Sequence, residues 1–240
     1  DKKGHLPRFL QWFNSLLARA VNCADDQREA VWSKASTDVE WVPSAAAVMQ
    51  KLAYIAANPV SAGAVRHGRD WPGARSNAQM FGKPRRIRRP HFFFGDRSCL
   101  PQAPHLHLTQ PPTHAHLTPA AFRAALADAI HRAESAARES REKAGLTFQG
   151  PKSCLKADPM WVPSTNKDAS GTPAPVSEPD PDLRAASLEE VAGFREAYAE
   201  TLARWQSGRC DVKWPKGTWK LVHILRVPFC RATPARAAPK

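Results

Sequence analysis

A phenol and a side-chain amide stand four residues apart in the run Lys51-Leu52-Ala53-Tyr54-Ile55-Ala56-Ala57-Asn58. On a helix this spacing sets Tyr54 and Asn58 about 40° from each other, whereas Val48, Leu52 and Ile55 fall together on a different side. The tyrosine is therefore off the apolar stripe, with Lys51 one turn above it and the amide one turn below. A phenol so placed can attack a phosphodiester, and the amide oxygen can ligate a metal ion. The product would be a phosphotyrosine, which stores bond energy so that the strand can be rejoined without ATP. The spacing alone fits better an ordinary tyrosine at a helix edge with its hydroxyl in solvent.

The element that must position these groups is a helix over Ala45–Ala57, with Ser44 as its N-cap and Pro59 enforcing its end through the restriction placed on Asn58. Before it, Leu6, Phe9, Leu10, Phe13, Leu16, Leu17 and Val21 recur at three- and four-residue steps and predict an amphipathic helix. Val39, Trp41 and Val42 form a short strand-like piece. Farther on, Thr118-Pro119 opens a long helix in the preferred way, a capping residue followed by Pro at the first helical position. Phe122, Leu126, Ile130, Ala133 and Ala137 stripe one face of it to about Lys143. Ser187 and Glu190 have the spacing of a capping box before a last helix marked by Leu188, Val191, Phe194, Tyr198, Leu202 and Trp205, with Gly208 at its C-terminal cap. Tyr198 lies on the apolar stripe and reads as core. Val212, Trp214, Trp219, Leu221 and Ile224 around Pro215-Lys216-Gly217 suggest a terminal hairpin.

A second chemical feature is charge. Between Arg66 and Arg97 there are nine Lys or Arg against Asp70 and Asp96. Arg66, Arg69, Arg75, Lys83, Arg85, Arg86, Arg88 and Arg89 lead into Phe92-Phe93-Phe94. Basic residues beside aromatics suit single-stranded nucleic acid, which offers phosphates and stackable bases together. The plain alternative is three core phenylalanines beside a solvated arginine run.

The whole chain points the same way. It has 240 residues, a formal net charge of +13 and a pI near 10.0, which favour an anionic partner. No segment sets its basic residues opposite Trp, Phe and Leu as an interfacial helix would, so nucleic acid is expected rather than membrane. Genomic GC bias toward Arg, Ala and Pro offers a bland source for the charge. The five cysteines, Cys23, Cys99, Cys154, Cys210 and Cys230, form no C-x-x-C pair, which argues against a disulfide framework or zinc knuckle. No apolar run approaches the roughly 18–20 residues of a membrane span, and a cytoplasmic protein is expected. A phosphate-binding glycine loop, a nucleophile elbow and an H-E-x-x-H motif are all lacking. The adjacent carboxylates Asp25-Asp26 and Glu189-Glu190 read as turn and first-turn residues.

The run Tyr54-Ile-Ala-Ala-Asn58-Pro59-Val60-Ser-Ala-Gly63, with Trp71-Pro72 and Ser76 downstream, closely resembles the motif of the REP-associated tyrosine transposases and their single-tyrosine, HUH-type insertion-sequence relatives. The resemblance is strong over about residues 4–80, including Gly4-His5-Leu6-Pro7-Arg8-Phe9, and looser beyond, where Asp211-Val-Lys-Trp214-Pro-Lys-Gly217-Thr-Trp219 is similar to a C-terminal extension of one branch. It implies that Tyr54 is the nucleophile and Asn58 the third ligand of a Mg²⁺ or Mn²⁺ ion. It further implies a 5′-phosphotyrosine intermediate on single-stranded or hairpin DNA, with a homodimer compatible with it. The DNA-binding residues would then be Lys51, Arg66, Arg69, Arg75, Lys83, Arg85, Arg86, Arg88 and Arg89.

The family holds its metal with a His-hydrophobic-His pair just upstream of the segment matched here, and the sequence, which opens on Asp1, does not contain that pair ahead of Tyr54. Two alternating pairs occur downstream, His105-Leu106-His107 and His114-Ala115-His116. On a strand, alternation would set both imidazoles on one face, suitable for a metal. Both pairs lie in a Pro-rich segment with little strand character.

The expected fold is α+β: a partial ferredoxin-like core with its N-terminal strands missing over residues 1–97, then a Pro/His-rich linker over 98–117. A mainly helical extension follows over 118–230, with a flexible insertion at 164–182 and a terminal hairpin, and a basic tail over 231–240. Three functional expectations stand together: a metal-dependent DNA strand transferase, a catalytically inactive DNA-binding remnant, and a fragment whose first two helices lack a surface to cover.

Overall fold

Thr118 caps the longest well-packed helix as expected. In a computed structural model of the chain, the Thr118 hydroxyl accepts a hydrogen bond from the Ala121 N–H at 3.2 Å, and Pro119 follows as the first helical residue. The structure describes residues 5–28, 30–32, 39–95, 100–158, 175–209 and 211–218. These fall into two compact units, residues 38–184 and residues 1–37 with 185–240. The described fold is helix-rich with a small sheet, an α+β arrangement.

In the 38–184 unit, α2 (Ala45–Ser61) packs on α3 (Pro119–Lys143). The stripe expected on α3 is its buried face: Phe122, Leu126 and Ile130 are 0%, 2% and 8% exposed. Arg141 and Lys143 occupy its last turn, where cations suit the helix dipole, and Gly145 takes a positive φ of 65° just beyond. On α2 the buried face differs from the expected one. Ala53, Ala56, Ala57 and Val60 are buried, while Ile55 is 62% exposed. Small alanines let the backbone of α2 approach the large side chains of α3, so close packing rather than side-chain size selects the face.

Ser44 caps α2 as predicted, accepting from the Ala47 N–H at 3.0 Å. Pro59, expected to end the helix, sits inside it. Proline removes only one ladder hydrogen bond, and the helix runs just two residues further. The end comes where Gly63 turns left-handed, with φ 76°, and donates to the Val60 carbonyl. The Arg141 guanidinium fills the space that a Cβ at Gly63 would need. The chain after α3 clamps this exit: Gln149 and Gly150 donate to the Gly63 and Ala64 carbonyls, and α4 (Pro151–Lys156) follows.

Residues 98–117, expected as a linker, are built into the unit where they are described. β1 (Arg85–Arg86) pairs antiparallel with β2 (His105–Leu106), Arg85 opposite Leu106 and Arg86 opposite His105. Hydrogen bonds from Ile87 to Pro104 and from Arg89 to Gln102 extend the ribbon. Phe81 and Leu108 form an isolated bridge, as do Trp41 and Val176, which bears on the strand character expected around Trp41. His114 is buried, with its ring edge-on to Phe122 at 5.4 Å. Its pKa is lowered, first by burial and then by the neighbouring His116.

The other unit contains α1 (Leu6–Ala24) and most of α5 (Pro181–Gln206), the division falling in the first turns of α5. α1 has the predicted amphipathic face, but Leu6, Phe9, Phe13 and Leu17 on it are all exposed. α5 starts earlier than the Ser187-Glu190 spacing predicted. The Asp180 carboxylate accepts from the Asp182 and Leu183 N–H groups, and Pro181 opens the helix. An Asp cap followed by Pro is the stronger start signal, and it leaves Ser187 in the helix interior. Tyr198, expected as core, is half-buried, with its ring 5.4 Å from that of Trp214, which is 1% exposed. Thr218 closes the Pro215-Lys216-Gly217 turn, its hydroxyl donating to the Pro215 carbonyl at 2.7 Å. Trp219, Leu221 and Ile224 of the expected hairpin lie outside the described residues, as do Arg97, residues 164–174 of the expected insertion and the 231–240 tail.

Candidate nucleic-acid interface

Tyr54 is 55% exposed on α2, and Asn58 one turn further on is exposed as well. Among the described residues no side chain hydrogen-bonds to the Tyr54 hydroxyl. Lys51 lies on the near side, its Nζ 5.5 Å from the tyrosine ring centroid and 2.5 Å from a carboxylate oxygen of Glu40. The tyrosine also walls a groove of about 640 Å³ between α2 and α3, shared with Gln50, Ser61 and Arg132 over a floor of alanines. Arg132 could not have been singled out from spacing, because it belongs to the polar side of a helix with many arginines. It pairs with Asp128 on α3.

The ribbon sorts the basic residues by alternation. Arg85, Ile87, Leu106 and Leu108 line a second groove of about 620 Å³ together with Leu52 and Ile55 of α2. Successive strand residues point to opposite faces, so Arg86, Arg88, His105 and His107 share the other face. The two imidazoles of His105 and His107 are 6.3 Å apart, as alternation predicts, and both are exposed. They therefore lie on the ribbon face opposite the one that meets α2, where Asn58 is.

The remaining candidates are divided. Arg75 is drawn inward to Glu134, at 3.4 Å, which also holds Arg138 at 3.6 Å. Arg66 lies 6.0 Å from the ring centroid of Phe148, which Arg141 flanks at 5.2 Å. Arg69 reaches Asp70 at 3.8 Å in a solvent-exposed pair. Lys83, Arg86 and Arg88 are exposed, and among the described residues they have no carboxylate partner. Arg89 is oriented by the Leu100 carbonyl, at 2.7 Å from its Nη1, and by the Phe94 ring at 5.6 Å.

No protein-family model, curated protein or solved structure matches this chain. What the site can do rests on its own geometry. A Mg²⁺ ion takes near-octahedral oxygen ligands, and Mn²⁺ favours a similar oxygen-rich set. Asn58 brings one amide oxygen, the His105/His107 pair faces elsewhere, and no group of three or more His, Cys, Asp or Glu converges among the described residues. These residues do not fit such an ion. No helix among them is long and apolar enough to cross a membrane.

Arg75 is held by Glu134, which gives a direct expectation. Arg75→Ala should lower stability by about 1–2 kcal/mol, less than for a fully buried pair because Arg138 stays on Glu134. DNA affinity should change by less than about two-fold, within the range of a peripheral charge. Parallel urea melts and anisotropy titrations of this variant and the parent would expose the opposite pattern.

Proposed function

We propose that this chain binds single-stranded or hairpin DNA as a relative of the single-tyrosine transposases, and that Tyr54 is its nucleophile where a metal-binding His pair completes the site. The observation that carries the reading is the exposed trio Lys83, Arg86 and Arg88 at the ribbon, with no carboxylate partner among the described residues, in the same unit as the exposed Tyr54–Asn58 side of α2. Phosphates would be attracted to Lys83, Arg86, Arg88 and Arg89. In the chemical step the Tyr54 oxygen attacks phosphorus, a 5′-phosphotyrosine forms and the 3′-oxygen leaves; the reverse attack rejoins the strand. Arg132, in the same groove as the phenol, is suited to hold the phosphate under attack.

A second reading is favoured by the His105/His107 placement, on the ribbon face away from α2: a DNA-binding remnant in which the metal-dependent step is lost. One experiment separates the two. The chain is incubated with an end-labelled hairpin oligonucleotide and Mn²⁺, then run on a denaturing gel. The transferase reading expects a covalent adduct that disappears in Tyr54→Phe, and an adduct that persists in that variant rejects Tyr54 as nucleophile. Binding without adduct selects the remnant.

A further inference from the structure

The end of the ribbon holds a concave site of about 320 Å³, lined by Arg86, Arg88, Arg89, His91, Phe94 and Gln102. This volume is near the lower bound of small-molecule sites, roughly 300 Å³. Its chemistry is uneven in a useful way. Arg86 and Arg88 are exposed guanidiniums with no carboxylate among the described residues, so their charge is available to an anion. Arg89 is different: it is half-buried, tied by Nη1 to the Leu100 carbonyl and laid beside the Phe94 ring, which in turn meets Phe93 edge-on at 4.8 Å. The Arg89 Cζ thus lies over the Phe94 ring, and its Nη1 already has a partner before any ligand arrives.

We infer that this site is a mononucleotide subsite for single-stranded DNA, with Arg86 and Arg88 on the phosphate and the Arg89–Phe94 pair as the platform on which the base stacks. The inference rests on the DNA-binding reading above and narrows it to one nucleotide at one place, distinct from the Tyr54 groove. Two features favour a nucleotide over a bare anion. A phosphate alone needs only the two exposed arginines and gains nothing from a third that is held beside an aromatic ring. A planar cation backed by a ring offers a base both stacking and cation–π attraction. Gln102 adds an amide that can donate to or accept from a base edge, without selecting strongly among bases.

The test uses the full chain and an oligothymidylate of about ten nucleotides carrying one 2-aminopurine, whose fluorescence falls when it stacks. An abasic strand of equal length and a duplex serve as comparison probes. The parent should bind the single strand with quenching, and bind the abasic strand and duplex at least five-fold more weakly. Arg86→Ala/Arg88→Ala should weaken binding about 10–100-fold and reduce the salt slope by about one to two, as loss of phosphate contacts requires. Arg89→Lys keeps the charge, so its salt slope should hold while quenching is lost and affinity falls about five-fold or more. Far-UV circular dichroism checks that each variant is folded; the conservative Arg89→Lys keeps the proposal testable if the double variant is not. Equal affinity for abasic and base-bearing strands, or Arg89→Lys with unchanged quenching, overturns the subsite. If these variants behave as the parent while hairpin DNA is still bound, only the subsite fails. If the parent binds none of the probes, the broader reading fails with it.

Discussion

Phe122→Ala is expected to lower the stability of the 38–184 unit by about 3–5 kcal/mol, the range for removing a buried aromatic ring. Phe122 is fully buried, with Phe81 edge-on at 5.3 Å and His114 at 5.4 Å. It belongs to a cluster with Ala53, Ala56, Ala78, Leu126 and Ile130, and alanines cannot move in to refill the space of a ring. The cavity term therefore adds to the lost burial. Urea unfolding followed by circular dichroism should show a lower midpoint, and hydrogen exchange should show faster exchange of α2 and α3 amides. Ile55→Ala supplies the contrast. At 62% exposed, Ile55 should cost less than about 1 kcal/mol when truncated, because little apolar surface is returned to water. Equal losses from the two variants would show that α2 buries its large aliphatic face after all.

α3 was legible almost residue by residue, because capping, helix-start proline and a single broad stripe all agree there. α2 was legible in its cap and its period, but its inward face was not. The rule that larger apolar side chains point inward held only in part: Met49 and Leu52 pack partly buried against the cluster, but Ile55 is left exposed while Ala53 and Ala56 are buried against Phe122, Leu126 and Ile130. α5 carried two competing start signals, and the proline-rich composition before it concealed the Asp180-Pro181 one. The ribbon was the hardest element to foresee. Its strands carry Arg-Arg and His-Leu, pair across about twenty residues of chain, and have too little apolar alternation for a strand signal. Only the His105–His107 alternation hinted at it, and that alternation is what sets the histidines on the face away from α2.

The candidate site was read in the same uneven way. The off-stripe position of Tyr54 and Asn58 follows from helical spacing alone, and both are exposed. The basic run gave the charge but not its distribution. Which arginines are held by Glu134 or lie against Phe148 depends on contacts with α3 and the segment after it, some 60 to 80 residues away. Gln102 carried no signal of its own, since nothing local links it to the arginines it joins.

Raising monovalent salt from about 50 to about 200 mM should weaken single-stranded DNA binding roughly 100-fold, with no change on adding a chelator. Each phosphate neutralised on a single strand contributes about −0.7 to the slope of log affinity against log salt. Outside the Tyr54 groove with its Arg132, Lys83, Arg86, Arg88 and Arg89, with Arg69 in only a loose exposed pair, make about five available cations, and so a slope near −3.5 for a strand bound along the ribbon. If Lys51, Arg66, Arg75 and Arg85 took part as well, the slope would approach about −6 and the same change of salt would cost several-thousand-fold. The structure argues for the smaller figure. Lys51 is on Glu40, Arg75 is on Glu134, Arg66 lies near Phe148 and Arg85 turns toward the groove under the ribbon. Anisotropy titrations at four or five salt concentrations measure the slope directly. A flat dependence would remove phosphate recognition as the basis of binding. A slope near −6 would mean that the ion pairs holding Lys51 and Arg75 open when DNA arrives. Insensitivity to chelator separates this electrostatic event from any metal-assisted chemistry at Tyr54, so the binding and the strand transfer can be judged independently.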